Sequence, residues 1–202
     1  MLSQITKIFI YLFFCFASLS FAQQNKNTRT KLPEVIMSKK ILIVVASKAG
    51  STAEIAKFMS DELNKAGANS VVQTLDKVQS LAGYDAVIVG SPIYMGKWLS
   101  EARDFVENNQ QILKKVPTAY FLSCLALTDP AKQKEVPNYL ADQRKLVEPI
   151  SEGRFAGKLD YSKLSFFNRM IIKMVGSKEG DYRDWKAIKQ WTDDFYAKVN
   201  KK

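Results

Sequence analysis

Ile41-Leu42-Ile43-Val44-Val45-Ala46-Ser47-Lys48-Ala49-Gly50-Ser51-Thr52-Ala53-Glu54-Ile55-Ala56 decides how this chain is read. The first five residues are apolar and mostly β-branched, the pattern of a strand buried on both faces. A short turn with hydroxyls and one glycine follows. Beyond it Ile55, Met59 and Leu63 recur every four residues, one apolar face of a helix. Strand, tight loop and helix start, in that order, make an anion site. The first helical N–H groups have no partner within the helix, and the helix dipole adds positive potential there. Within the candidate loop 47–52, Ser47, Ser51 and Thr52 can donate hydroxyl hydrogen bonds. Ala49 and Gly50 complete it, Gly50 letting the backbone approach closely, and Lys48 can add a full charge. The ligand group expected here is a phosphate.

Two phosphate motifs are excluded. The loop has one glycine, so it is not the G-x-G-x-x-G dinucleotide fingerprint, and it lacks the G-K-[ST] ending of a P-loop. The pattern Ser47-x-x-Gly50-x-Thr52-x-x-x-Ala56 resembles the FMN-phosphate loop of the flavodoxin family. Val45 stands where that family often has an aromatic residue. Taken alone, the loop also fits an ordinary strand–turn–helix with a hydroxyl cap.

The 202 residues suffice for one domain with a substantial core. Formal net charge is +10, and residues 1–36 contribute Lys7, Lys26, Arg29 and Lys31 against Glu34. The remainder stays basic, which favours acidic partners such as an anionic membrane surface or an anionic substrate. No Lys/Arg run with interleaved aromatics marks a nucleic-acid track. The chain has no histidine, which excludes a Ser-His-Asp triad, a histidine base and a histidine-bound metal. Its two cysteines are Cys15 and Cys124. With Cys15 in the leader, an internal disulfide and a cysteine zinc site are excluded from the folded part.

Lys7 precedes an uncharged run over 8–22, and Ser20-Phe21-Ala22 is an acceptable cleavage site. Residues 1–22 read as a secretory signal peptide, or else as an uncleaved anchor. Met37-Ser38-Lys39-Lys40 also looks like a natural start. The domain is therefore exported if the leader is used, and cytoplasmic if translation begins at Met37. Residues 23–38 read as a disordered spacer in either case.

Along the domain, 39–200, strands alternate with helices. The strand at 41–45 and its helix are followed by a second strand over 70–75 and a third over 84–90. Ser91-Pro92-Ile93-Tyr94-Met95-Gly96-Lys97-Trp98 reads as a loop, and Leu99, Ala102, Val106 and Leu113 mark a helix. A fourth strand is expected at 118–124, a helix interrupted by Pro137 within 131–147, and a fifth strand within 149–157. This alternation predicts an α/β fold with a parallel sheet covered on both faces. The resemblance to the flavodoxin family implies the flavodoxin-like doubly wound sandwich, with a five-stranded parallel sheet in the order 2-1-3-4-5. Ligands of such sheets bind beyond the strand C-termini at the switch point, flavodoxin being the standard example of the rule. The loops after strands one, three and four would meet there.

In the second loop Tyr94 and Trp98 can stack on a flat ring, Gly96 permits unusual backbone angles, and Lys97 can offset the charge of a reduced flavin. Trp98 fits internal packing equally well. The third loop, Ser123, Cys124 and Leu125, would contribute mostly backbone. Cys124 reads as a small buried residue with no resolving partner.

The strings Gly153-Arg154-Phe155-Ala156-Gly157-Lys158-Leu159-Asp160-Tyr161, Asn168-Arg169-Met170-Ile171-Ile172-Lys173-Met174-Val175-Gly176 and Asp184-Trp185 are also informative. Together with 47–56 and 90–98 they resemble the menaquinone-dependent protoporphyrinogen oxidases of the flavodoxin superfamily, over residues 39–195. The resemblance implies noncovalent FMN, oxidation of a porphyrinogen and delivery of electrons to a membrane quinone. It implies cofactor contacts from 47–52, 91–98 and 123–125. With no histidine available no single catalytic base can be named, and no metal is expected. Residues 163–178 mix Phe166, Phe167, Met170 and Ile171 with Lys163, Arg169 and Lys173, which fits a helix lying on an anionic membrane, clear of the flavin crevice. It fits a core-facing helix equally well. The alternative function is a flavodoxin-type electron carrier, though such carriers are typically acidic. A binding module that has lost FMN is disfavoured by Ser47, Gly50 and Thr52 standing together.

Overall fold

A computed structural model describes residues 38–164, 169–170 and 178–201. The leader and spacer lie outside the described residues, as does most of 163–178. Strand β1, Lys40–Val45, is buried from Ile41 onward. Helix α1, Ser51–Lys65, leads to β2, Asn69–Thr74, then to β3, Ala86–Tyr94. A short β4, Lys97–Trp98, precedes α2, Ser100–Leu113, and β5, Thr118–Ser123. Two 3-10 segments lead to α3, Ala141–Leu146, then to β6, Ser151–Phe155. The short strands β7, Lys158–Leu159, and β8, Gly180–Asp181, pair with each other before α4, Trp185–Asn200.

The long strands stand in the order β2-β1-β3-β5-β6, all parallel, which is the expected 2-1-3-4-5 arrangement. One strand, β4, is added to this sheet, and β7 and β8 form a separate pair. The stretch 91–98, read as a loop, carries β3 on to Tyr94 and returns as β4, antiparallel to it. Met95 and Gly96 turn the hairpin with φ of 49° and 75°. Positive φ at both central residues is what a type I′ hairpin turn needs. In place of the helix expected within 131–147 stand a 3-10 stretch, Gln133–Leu140, that contains Pro137 and then the short α3; proline removes an internal donor from that stretch.

The alternation along each strand builds two cores. Ile41, Ile43, Val45, Ile88 and Phe121 face α1 and α4, where Ile55, Met59, Leu63, Ile188 and Phe195 cover them. Leu42, Val44, Val87, Val89, Tyr120 and Leu122 face the other way, onto Ala102, Val106 and Leu113 of α2. At Gly90 a Cβ would stand 2.0 Å from a ring carbon of Phe121, so the glycine makes room for that ring. Strand β6 ends the sheet and carries its charges outward, where Arg144 and Arg154 both bind the Glu152 carboxylate. Burial pushes that carboxyl up, but the two guanidinium contacts outweigh burial and leave it below its ordinary range. Charge on an edge strand also discourages pairing with other chains.

Candidate functional site

The C-terminal ends of β1, β3 and β5 meet where the switch-point rule places a ligand. The Ala46 N–H donates to the Gly90 carbonyl at 2.9 Å, tying β1 to β3, and the Cys124 N–H donates to the Phe155 carbonyl at 3.0 Å, tying the end of β5 to β6, while β3 and β5 stay paired as far as Pro92 and Ser123. The loop 47–50 then turns through Gly50, whose φ of 89° is left-handed, into α1.

The loop's donors are arranged for an oxyanion. Ser47 Oγ accepts from the Gly50 N–H at 3.2 Å and the Ala53 N–H at 3.4 Å. It thereby takes the capping role and keeps its own O–H free to donate. The N–H groups of Lys48, Ala49, Ser51 and Thr52 have no acceptor among the described residues. Thr52 Oγ1 lies 2.8 Å from Ser123 Oγ, both buried, which couples the first turn of α1 to the loop after β5. Unpaired N–H groups at a helix start are chemically suited to a phosphate. The donor set therefore fits a flavin mononucleotide phosphate.

The hairpin forms the second wall. Tyr94 is 38% exposed and Met95 fully so, which leaves a ring and a flexible apolar side chain at the tip. Lys48 Nζ sits 4.9 Å from the Tyr94 ring centroid, within cation–π range, so this lysine turns toward the ring wall. Lys97 is exposed beside it, and Gly96 lies against the Tyr139 ring. Trp98 turns inward instead, 5% exposed and edge-on to Tyr120 at 5.3 Å. Ser91 is fully buried. Its hydroxyl donates to the Pro92 carbonyl and accepts from the Leu99 N–H, so it locks the base of the hairpin. Pro92 and Ile93 are half-buried between these ends. On the third loop Ser123 and Cys124 are buried and Leu125 half-buried, and burial pushes the Cys124 thiol up. That suits packing rather than a reactive thiolate.

A fourth wall had no signal in the loop sequences. The Lys158 N–H donates to Ser51 Oγ at 2.9 Å, across 107 residues of chain. Arg183, its side chain 4% exposed, holds Glu54 at 2.6 Å and Asp181 at 2.5 Å, and stacks 4.4 Å from the Trp185 ring. The Asp181 contact, then that of Glu54, raises the guanidinium further, and Arg183 keeps the Asp181 carboxyl low. Lys163 Nζ stands 3.9 Å from Glu54 Oε1 and 3.8 Å from the point a Cβ of Gly50 would occupy. The expectation that 163–178 lies clear of the crevice therefore does not hold for Lys163. Surface depressions around 107–114 and around Lys39, Asp85 and Pro117 lie at the opposite, N-terminal edge of the sheet. Among the described residues no cluster of carboxylates and thiols could hold a metal ion, and no helix is long and apolar enough to cross a membrane.

A family model described as a flavodoxin domain matches residues 42–186. Protoporphyrinogen IX dehydrogenase [quinone] of Escherichia coli (strain K12) is 27% identical over 161 residues, covering 76% of this chain and 88% of that protein. The protein of the same name from Leishmania major is 28% identical over 131 residues, covering 58% of this chain and 56% of its own length. Among solved structures, the Streptococcus pneumoniae TIGR4 flavodoxin and Bacillus cereus Flavodoxin 2 each superpose with a TM-score of 0.53 at 20% identity. Each comparison covers 79% of this chain and 99% of the other. Those likenesses concern the fold.

Proposed function

We propose, for a chain that belongs to the flavodoxin-domain family, that it is an FMN-dependent oxidoreductase that oxidises a porphyrinogen and passes the electrons to a membrane quinone. The observation that carries this reading is the set of unpaired N–H groups and hydroxyls at 47–52, at the sheet's switch point, in a chain related to the protoporphyrinogen IX dehydrogenases. Bound FMN would supply the reversible two-electron chemistry. The protein's part is binding and orientation. Ser47 and the N–H groups of Lys48, Ala49, Ser51 and Thr52 would hold the phosphate end. Tyr94 flanks the ring, and Lys48 and Lys97 offset negative charge on it. Trp98, Ser91 and the Thr52–Ser123 contact keep those walls in place from behind.

A quinone acceptor dissolved in a bilayer fits the chain's basic balance and the mixture of apolar and basic residues over 163–178. Attachment to an anionic membrane, on whichever side the leader delivers the domain, belongs to the same proposal. The test is anaerobic. The FMN-loaded protein is mixed with protoporphyrinogen IX and a menaquinone analogue, and porphyrin fluorescence is followed. Porphyrin that accumulates only when both protein and quinone are present supports the reading. Flavin that is reduced by a ferredoxin-type donor but never by the porphyrinogen would favour an electron carrier.

A further inference from the structure

We propose that Lys163 is a cofactor ligand whose ammonium group closes over the terminal phosphate of FMN at residues 47–52. The proposal rests on the reading above that this loop takes FMN. Lys163 is far from the loop in sequence, and three ties bring it there. The Lys158 N–H is bound to Ser51 Oγ at the first residue of α1. The turn 161–163 is fixed by Asp160, which accepts from the Ser162 N–H at 3.0 Å and the Ser162 hydroxyl at 2.6 Å. Arg183, at the far end of the same ribbon, is bonded to Glu54 in the first turn of that helix.

The charges around Gly50 explain why a lysine is needed at this place. Glu54 suits the helix dipole but would repel a phosphate dianion at the same helix start. Arg183 contacts Glu54 Oε2 at hydrogen-bond length, whereas Lys163 Nζ stands 3.9 Å from Oε1, beyond that length. Glu54 is thus satisfied by Arg183, and the Lys163 ammonium keeps its donors, with no hydrogen-bond acceptor among the described residues. The loop's own lysine, Lys48, is turned over the Tyr94 ring. Lys163 is therefore the cation facing the phosphate side of the loop, and Lys48 the one facing the ring side. A charge-assisted contact between ammonium and phosphate follows directly from this placement.

The test separates the phosphate from the rest of the flavin. Full-length apoprotein is titrated with FMN and with riboflavin, which lacks the phosphate, and flavin fluorescence reports each Kd. Lys163→Gln should weaken FMN about five- to tenfold, the order expected for one charged contact at a half-exposed position. Riboflavin should bind the variant as it binds the wild type, which also shows that the fold is kept. Lys163→Arg should retain most of the FMN affinity, and added salt should narrow the gap between wild type and Lys163→Gln. If the wild type prefers FMN to riboflavin and Lys163→Gln keeps that preference in full, the proposal is wrong while the FMN reading stands. If the wild type binds both flavins equally, or neither, the phosphate reading of the loop fails and the proposal fails with it.

Discussion

The parallel sheet and the ribbon that leads into α4 lie on either side of the same helix start, and different forces hold them. Ile41, Leu42, Ile43 and Val44 have no solvent exposure, and their side chains alternate between two apolar cores. The ribbon pairs β7 with β8 at two register positions, and among the described residues its polar ties to α1 are the hydrogen bond from the Lys158 N–H to Ser51 Oγ and the ion pairs of Arg183 and Lys163 with Glu54. An apolar strand is stabilised by area removed from water, whatever its detailed partners. An ion pair is stabilised only if the partner is in place, and little if water reaches it. The sheet therefore sets the fold, and the ribbon adjusts the charge and closure of one site on it.

The contrast predicts that damage to the sheet costs most. Ile43→Ala should lower stability by about 2–5 kcal/mol, the usual range for emptying a core site, seen as a lower denaturant midpoint with little change in slope. A loss below ~1 kcal/mol would mean that the sheet is not the dominant element. Damage to the ribbon should cost less. Arg183→Met keeps much of the side-chain volume but takes the guanidinium from Asp181 and leaves Glu54 only the longer Lys163 contact, both carboxylates being near half exposure, so about 1–2 kcal/mol is expected. Cleavage by trypsin near Lys158 and Lys163 should speed up before the sheet unfolds. A variant that loses sheet and ribbon in one step would erase the distinction.

The same contrast accounts for what the sequence could reveal. The strand 41–45 and its helix were readable because burial on two faces, and then on one, leaves a pattern in adjacent residues. Alternation gave a parallel sheet covered on both faces, and the resemblance of the 47–56 loop to flavodoxins gave its strand order. Strand β6 was hard to place because its residues, Ser151 to Phe155, include outward charges suited to an edge. The hairpin at 94–97 was read as a loop since Ser91-Pro92 looks like an ending. The type I′ turn at Met95-Gly96 is signalled only by the glycine. For the candidate site, the strand–loop–helix turn over 47–52 was legible from spacing. Trp98 and Tyr94 carry equal aromatic weight in sequence, and only the register of β4 shows that one faces the core and the other the crevice. Lys158 and Lys163 stand in stretches the sequence marks as informative, but nothing local in them or at Arg183 signals contact with a helix more than a hundred residues earlier.

Smaller effects sharpen the comparison at its boundary. Thr52→Val leaves Ser123 without its buried hydroxyl partner and should cost about 1 kcal/mol of stability, with FMN bound more weakly as well. An unchanged FMN Kd would place the phosphate away from the first turn of α1. Acid should loosen the ribbon, besides weakening the Glu152 contacts at the β6 edge. The Asp181 carboxyl is held below its ordinary range by Arg183, so its contribution is present above the unfolded pKa and is lost as pH falls through the folded one. Fluorescence of Trp185, which lies under Arg183, should therefore change below about pH 4, and Arg183→Met should lack that step.

The central claim is that residues 47–52 hold the phosphate of a flavin mononucleotide. The most direct measurement is to purify the protein, record its visible spectrum, release the chromophore by heat or acid, and identify it. The account predicts a yellow protein that releases FMN, or a colourless one that turns yellow when FMN is added. Release of FAD, or a protein that stays colourless and takes up no FMN, would contradict it.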